Sequence, residues 1–258
     1  MKRVDLFGPP GSGKTTILQA VIKSPDRPDN WYTNKEFYLM ACYKLFENKN
    51  SHPLDLIKRT GFRLLKKKRL LPISREDRDR FLSSQLQPYK QLLRRVNDSF
   101  GKDTLAIPEI NSYRMVRFRE ELENVLLLEH VHEDGLVLFE ESLTYRYFEA
   151  TGGVHTDEEH LRLFQTNPFP PAGGYICIRA SFDTLMKRLS RRWKVTHAHR
   201  KMSKTNIRRH VQASIRNTDT ALKVLEAMNK PVLKIGEEDS VRQAATKIHP
   251  FLMQLAKG

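Results

Sequence analysis

Four short, continuous runs of mostly apolar residues punctuate the chain, and longer amphipathic stretches separate them. The runs cover residues 4–7, 135–139, 174–178 and 231–235. Continuous apolar runs are typical of parallel strands that are buried on both faces. Apolar residues recur at helical spacing over 14–22 and 112–132. Strands that alternate with helices predict an α/β fold with a mostly parallel sheet.

The stretch between the first two runs has a different pattern. Residues 31–100 have apolar positions at helical spacing, which predicts a mainly helical segment. Ser74 followed by Asp77 resembles an N-cap with an acid in the first turn, and Pro88 is expected to kink or divide the helix that follows. A short strand is predicted at 104–107. With 258 residues, the chain is long enough for one large domain or for a core with a large insertion.

A glycine-rich segment follows the first apolar run and precedes a helical pattern. It matches the phosphate-loop pattern of Gly, four residues, Gly, Lys and Ser or Thr. The segment is Gly8-Pro9-Pro10-Gly11-Ser12-Gly13-Lys14-Thr15. Its backbone amides and the helix N-terminus would face phosphate oxygens, and Lys14 would reach the terminal phosphates. Thr15 would offer its hydroxyl to Mg²⁺, and Thr16 could touch the α-phosphate.

Two carboxylates follow the second apolar run. Glu140 and Glu141 come directly after Leu136-Val137-Leu138-Phe139. In a phosphate-loop enzyme an acid at the end of a buried strand can serve the metal or accept a proton from the acceptor hydroxyl. Glu140 is the first choice because it adjoins the apolar run. The alternative is an exposed pair of acids at a strand end.

The charge is strongly basic and unevenly distributed. There are 45 Lys and Arg against 30 Asp and Glu, so the net charge is +15. Residues 184–218 contain no acid and eleven Lys or Arg. A basic balance favours anionic partners without choosing among them. The stretch is a solvated face, a nucleic-acid contact or part of a phosphate site.

The order of these segments resembles the nucleoside and nucleotide kinases, with thymidylate kinases and deoxynucleoside kinases most similar. The segments are the P-loop, then FEESLTYRYF, GGYICIRASFDTLMKRLSRR and PVLKIGEEDSVRQAATKI. The resemblance covers residues 1–23 and 135–258. It implies a three-layer P-loop NTPase core with a parallel sheet, a large helical insertion at 24–134 that binds the acceptor, and a basic lid at about 184–218. Glu141 stands where the family commonly has arginine.

The resemblance also assigns roles near the lid and the last strand. In the family, arginines after a Ser- or Thr-rich turn clamp the phosphates and begin the lid. The corresponding residues are Ser181, then Arg188, Arg191 and Arg192, with Arg200 further along. The loop after the family's last strand packs on adenine, and Gly236 to Ser240 occupy that place. ATP and Mg²⁺ are the implied cofactors, with Lys14, Glu140 or Glu141, Arg188 and Arg192 as catalytic residues and Thr15 and Glu140 at the metal.

The sequence does not decide which molecule accepts the phosphate. A nucleoside or nucleotide follows from the resemblance, whereas a sugar, antibiotic or glycan fits because one fold hosts many functions. Glu109 could face the acceptor or be an exposed loop acid. Two further groups could contact an acceptor, although helically spaced aromatics are more often core. The groups are Arg114, Arg117 and Arg119, and Trp31, Tyr32 and Tyr38.

Two other classes of function compete with a kinase. A nucleotide-dependent nucleic-acid-binding ATPase would use the basic charge, and a slow ATPase switch would use the insertion as a partner surface. The sequence has no acidic strand end about twenty residues beyond the glycines, which argues against a dinucleotide-binding fold. Its two cysteines, Cys42 and Cys177, form no disulfide framework, and His197, His199 and His210 lack metal spacing. Without a membrane-spanning run or a signal segment, a cytoplasmic protein is expected.

Overall fold

The computed structural model describes most of the chain in nine pieces. They are residues 1–46, 75–99, 102, 108–132, 134–140, 142–151, 153–166, 170–192 and 203–257.

Five parallel strands form one sheet in the order β2-β3-β1-β4-β5. The strands are β1 (Lys2–Phe7), β2 (Trp31–Thr33), β3 (Leu136–Phe139), β4 (Gly174–Ile178) and β5 (Val232–Ile235). Parallel neighbours need a crossover connection, and helices supply most of these connections here. The predicted α/β class with a parallel sheet is confirmed.

Ten α-helices surround this sheet in the described part of the chain. They are α1 (Lys14–Ile22), α2 (Asn34–Phe46), α3 (Arg75–Gln85), α4 (Lys90–Ser99), α5 (Pro108–Glu129), α6 (Leu143–Thr151), α7 (Asp157–Thr166), α8 (Phe182–Arg192), α9 (Lys204–Ala227) and α10 (Val241–Lys257). None of these helices is long and apolar enough to cross a membrane.

Alternate residues of the strands enter two different cores, which makes the fold three-layered. In β3, Leu136 and Leu138 pack with α1 and α10, while Val137 and Phe139 pack with the larger group of helices on the opposite face. Successive side chains of a strand point to opposite faces. Because both faces are covered by helices, all four residues are buried and the run is continuously apolar.

Residues 31–100 were predicted to be mainly helical, but the described part of this segment begins with a strand. Trp31, Tyr32 and Thr33 form the edge strand β2, which pairs in parallel with Leu136–Leu138 of β3. Three residues are too few to show a strand periodicity, and the pairing partner lies about a hundred residues away. Thr33 and Glu36 then cap α2: the Thr33 amide donates to the Glu36 carboxylate at 2.8 Å, and the Glu36 amide donates to the Thr33 hydroxyl at 3.2 Å.

Other boundaries in this region follow their local signals. A 3-10 turn at Gln87–Tyr89 contains Pro88 and separates α3 from α4, as the proline predicted. The helix expected from residue 112 begins at Pro108, which occupies the first helical position that proline tolerates. The predicted strand at 104–107 and the proposed cap at Ser74 lie outside the described residues.

The predicted lid falls into three parts. Its first residues belong to α8, residues 193–202 lie outside the described part, and residues 204–218 belong to α9. Ser203 caps α9 by accepting from the Asn206 amide at 3.1 Å. Ile207, Val211 and Thr218 are buried, so the part of the predicted lid that belongs to α9 packs one face into the protein. Closure of the intervening residues stays a prediction.

A fully buried histidine lies in an aromatic cluster on α6 and α7. His160 packs against Tyr147 and Phe148, with ring centroids 5.0 Å apart for Phe148, and both of these rings contact Phe164. No hydrogen-bond partner for either ring nitrogen is found among the described residues. Burial, followed by the nearby His155, lowers the pKa of His160 from 6.5 to about 4. The imidazole is therefore neutral in the folded protein at neutral pH.

This neutral histidine should make stability depend on pH. The unfolded state takes up the proton near pH 6.5, so the contribution of His160 is complete above that pH and is lost as the pH falls toward 4. Between pH 7.5 and 5.0 the free energy of unfolding of the wild type should fall by roughly 2 kcal/mol more than that of His160→Phe. Urea denaturation at both pH values measures the difference. An equal fall in both proteins would contradict a neutral, buried His160.

Candidate active site

The predicted chemical motifs meet at one edge of the sheet. The P-loop follows β1, Glu140 follows β3, Ser181 follows β4 and Gly236 follows β5. Because the strands are parallel, their carboxyl ends share this edge, where ligands bind in open α/β sheets.

The P-loop is held in place by close approach to the end of β4. A Cβ atom at Gly8 would lie 2.1 Å from the carbonyl oxygen of Ile178, so only glycine fits. Gly13 has φ of 106° at the N-cap of α1, a conformation that side chains disfavour. The loop thus leads directly into the N-terminus of α1, where backbone amides and the helix dipole favour an anion.

Lys14, the first residue of α1, folds back over the loop. Its Nζ donates to the carbonyl oxygens of Gly8 and Pro9 at 2.7 and 3.0 Å. Nζ also lies 6.0 Å from the centroid of the Tyr145 ring. The ammonium therefore lies at the mouth of the loop, with a flexible stem that allows it to reach a bound phosphate.

Thr15 and Glu140 are brought together across the sheet edge. The Thr15 hydroxyl donates a short hydrogen bond to a carboxylate oxygen of Glu140. The two residues are 125 positions apart in the chain, and the pairing of β1 with β3 places them side by side. A hydroxyl and a carboxylate at the P-loop are oxygen ligands suited to Mg²⁺. Glu141, the alternative, lies outside the described residues.

Arg188 of α8 reaches the same loop from the other side. Its Nη1 donates to the carbonyl oxygens of Gly11 and Ser12 at 3.3 and 3.1 Å. Arg191 is exposed one turn later, and Arg192 is the last residue of α8. Arg200, His197 and His199 lie outside the described residues.

A cavity of about 360 Å³ opens beside the P-loop. One wall consists of the loop and the start of α1, and the other of α8 and the segment after β5. Its lining includes Gly11, Ser12, Gly13, Thr16, Arg188, Arg191, Gly236, Glu237, Asp239 and Val241. Thr16 and Gly236, both predicted to contact nucleotide, thus share one cavity with the P-loop.

A buried ion pair lies under the site, and sequence patterns did not indicate it. Asp5 of β1 is fully buried, pairs with Arg3 at 3.0 Å and accepts from the Thr144 hydroxyl at 3.0 Å. Burial raises the pKa of Asp5, although Arg3 and then Thr144 act in the opposite direction. Arg3 also donates to the Pro170 carbonyl at 2.6 Å. This network joins β1 to α6, and its only sequence signal was a charged pair inside an apolar strand.

A second buried network joins three helices. Glu149 of α6 lies 2.5 Å from Arg146 Nη1 and 3.4 Å from Arg114 Nε of α5. Arg114 Nη2 also lies 3.4 Å from Nδ1 of His210 on α9. All four residues are buried. Arg114, predicted as a possible acceptor contact, is therefore engaged inside the protein, and sequence reasoning missed Arg146 and Glu149.

The other arginines of α5 face outward. Arg117 pairs with Glu120 at 2.8 Å and Arg119 with Glu123 at 2.9 Å, at helical i,i+3 and i,i+4 spacing. Glu109 lies in the first turn of α5, so the interpretation as a loop acid was wrong.

The candidate aromatics lie in or against the core. Trp31 is 1% exposed and packs on His249 of α10, with ring centroids 5.1 Å apart. Tyr32 and Tyr38 are half-buried against the larger core. A core role, which helical spacing favoured, fits these positions.

Comparison with known proteins rests on structure, because neither a family model nor a curated protein matches the sequence. One similar structure is deoxyadenosine kinase from M. mycoides with the products dCMP and a flexible dCDP bound. It is 11% identical over 98% of this chain and 99% of that chain, with a TM-score of 0.51. The same enzyme with bound dATP is 12% identical over 98% and 100%, with a TM-score of 0.50.

Both alignments cover nearly the whole chain, including the helices of residues 24–134. At this identity the likeness establishes the architecture. The protein therefore has the fold of the P-loop deoxynucleoside kinases.

Proposed function

We propose that the protein is a kinase that transfers the γ-phosphate of ATP to a small-molecule acceptor in the presence of Mg²⁺. The observation that carries the proposal is the contact between Thr15 of the P-loop and Glu140 at the end of β3. It adds a carboxylate to a loop and helix N-terminus built for phosphate, within a kinase fold.

The residues around the P-loop would bind and orient the triphosphate. The amides of the loop and of the first turn of α1 donate to phosphate oxygens. Lys14 exchanges its contacts with Gly8 and Pro9 for the β- and γ-phosphates, which offer it full negative charge. Arg188 lies on the opposite side of the loop and would stabilise the charge that spreads over the transferred group. Arg192 is proposed to assist from the end of α8.

The site fits Mg²⁺ although the protein supplies few ligands. Magnesium at ATP sites is held by one or two protein oxygens together with phosphate oxygens and water. Thr15 and Glu140 supply a hydroxyl and a carboxylate. When bound, the ion would neutralise phosphate charge. No group of three or more His, Cys, Asp or Glu arranged for a metal occurs among the residues that the structure describes.

The acceptor would enter on the side of α6, opposite the nucleotide cavity. Helix α6 follows Glu140 and Glu141 in the chain, and α4 and α5 pack against it. In the structures compared above, the related kinase holds deoxynucleotides, which makes a nucleoside or nucleotide the first acceptor to test. A sugar or glycan is the second, because the acceptor region shows no residue-level match to a nucleoside site.

The decisive experiment measures ATP consumption with Mg²⁺ over a panel of nucleosides, nucleoside monophosphates, sugars and glycans. We expect one acceptor class to stimulate turnover and to yield a phosphorylated product detectable by mass spectrometry. The control is Lys14→Ala, in which the stimulation should be absent.

Slow turnover that no small acceptor stimulates would contradict the kinase proposal. Nucleic acid is then the next ligand, and binding that weakens steeply with salt would indicate an ATPase that acts on it. Slow turnover without nucleic-acid binding would instead indicate a switch.

A further inference from the structure

Two separate segments form the wall of the nucleotide cavity away from the P-loop. One is α8, which carries Arg188 and Arg191. The other is the 236–240 loop, which connects β5 to α10 and contributes Gly236, Glu237 and Asp239. If the proposed function holds, the P-loop end of this cavity takes the phosphates and the 236–240 loop takes the nucleobase.

A single carboxylate joins these two segments. Glu237 Oε2 accepts hydrogen bonds from the Ser181 amide and hydroxyl, both at 2.9 Å. Ser181 in turn caps α8, since its hydroxyl accepts from the Thr184 amide at 3.3 Å and contacts the Thr184 hydroxyl at 3.0 Å. The Ser181 amide and the Thr184 and Ser181 hydroxyls hold the pKa of Glu237 below its usual range. The 236–240 loop thus supplies an anion to the N-terminus of α8.

The same loop is fixed internally, so it can act as a support. Asp239 accepts from the Gly236 amide at 3.2 Å and from Lys247 of α10 at 2.6 Å. Its side chain is only 7% exposed. Because α10 holds the loop in place, the loop can hold Ser181 in place through Glu237.

Helix α8 connects Ser181, which Glu237 holds, to Arg188 at the P-loop. Arg188 lies seven residues after Ser181, which corresponds to about 10 Å along a helix. Its guanidinium contacts the Gly11 and Ser12 carbonyls of the P-loop. Leu185 and Leu189 of α8 are buried against Ile207 and Val211 of α9, so the helix is packed over its length.

We infer that Glu237 is a positioning residue: it couples the nucleobase end of the cavity to Arg188 at the phosphate end by fixing the N-terminus of α8. This inference rests on the proposed function. It assigns to Glu237 an effect on phosphate binding that a residue touching only the base would not have.

The sign of the charge effect allows a sharp test. Glu237→Ala removes a negative charge near the phosphate site, and simple electrostatics would then strengthen the binding of an anion. Coupling through α8 predicts the opposite, because the helix loses its anchor. We expect Glu237→Ala to bind both ATP and inorganic tripolyphosphate, with Mg²⁺ present, roughly fivefold more weakly. Isothermal titration calorimetry measures both dissociation constants.

Matched variants separate anchoring from charge. Glu238→Ala removes the same charge from the neighbouring exposed residue, which does not line the cavity. Tripolyphosphate has no base to meet the loop, so we expect its affinity to stay within about twofold. Glu237→Gln keeps an acceptor oxygen for Ser181 and should recover most of the loss. Ser181→Ala removes the hydroxyl, one of the two hydrogen-bond donors to Glu237, and should weaken the binding of both ligands. Combining it with Glu237→Ala should cause little further loss of affinity.

Each outcome decides the inference. A loss confined to ATP would show that Glu237 only lines the base pocket, and unchanged or tighter binding of tripolyphosphate would also overturn the coupling. Thermal unfolding identifies a variant that fails to fold, and Ser181→Ala then carries the test. If the wild-type protein binds neither ligand, the proposed function fails; if it binds both and Glu237→Ala binds equally well, the coupling alone fails.

Discussion

Replacing Lys14 by alanine should reduce ATP turnover by about 10²–10³-fold while the protein remains folded. The ammonium lies over the P-loop and is the only lysine in the loop motif. Under the proposed function, its removal takes away a charge that would face the transferred phosphate. The loss should fall on both turnover and nucleotide binding, because the ground state and the transition state both carry phosphate charge.

The structural cost of this substitution should be small. The substitution removes two hydrogen bonds, from Lys14 to the carbonyls of Gly8 and Pro9. Both bonds are only part-buried, so water can take the place of the ammonium. We expect the free energy of unfolding to change by less than about 1 kcal/mol, measured by urea denaturation. Lys23→Ala at the other end of α1 is the matched control and should retain wild-type turnover. Normal turnover in Lys14→Ala would contradict the proposed phosphate-binding role.

Glu149→Ala should be the most destabilising of these substitutions, lowering the free energy of unfolding by about 3–5 kcal/mol. The carboxylate lies between Arg146 and Arg114, and all three side chains are at most 9% exposed. Burial raises its pKa, but attraction to Arg146 and then to Arg114 outweighs this effect and lowers the pKa to about 2. Its removal leaves guanidinium charge inside the protein without this partner.

The control for this prediction is an exposed ion pair of the same residue types. Glu120→Ala breaks the pair with Arg117, where Glu120 is 49% exposed, and should cost less than about 1 kcal/mol. Glu149→Gln keeps the shape and isolates the loss of charge. Chemical denaturation at pH 7 measures all three variants. Equal effects of Glu149→Ala and Glu120→Ala would contradict a buried, stabilising network.

The Glu149 network also has a pH signature. The folded pKa is depressed, so the stability contribution of Glu149 is complete above the unfolded value of 4.5 and is lost as the pH falls toward 2. The shift corresponds to roughly 3 kcal/mol. This window lies below that of His160, which allows the two groups to be distinguished in one acid titration of stability.

Much of the sheet could be predicted because buried parallel strands leave a local signature. Residues 136–139 and 174–178 are continuously apolar for the reason that helices cover both faces. Strand β2 could not be predicted in this way. It has three residues, it lies at the sheet edge, and its existence depends on pairing with β3.

The candidate site also has one part that the sequence could predict and one part that it could not. The P-loop is one contiguous segment whose glycines, lysine and threonine act within a few residues of each other, so the sequence alone predicts what it can bind. By contrast, the contacts of Glu237 with Ser181 and of Glu149 with Arg114 join residues from separate elements. No local pattern indicates such pairs, because the order of strands and the packing of helices decide which side chains meet.

For this protein, the sequence by itself determined the α/β class, the P-loop motif between β1 and α1, and Glu140 as a carboxylate at a strand end. Only the tertiary structure decided that Glu140 meets Thr15, that Arg188 contacts the loop, and that one face of residues 204–218 packs into the protein. The physical reason is how far apart in the chain the interacting residues lie. Backbone conformation and hydrophobic periodicity act between near neighbours in the chain, whereas a site assembled at the carboxyl edge of a parallel sheet depends on contacts between strands that are distant in sequence.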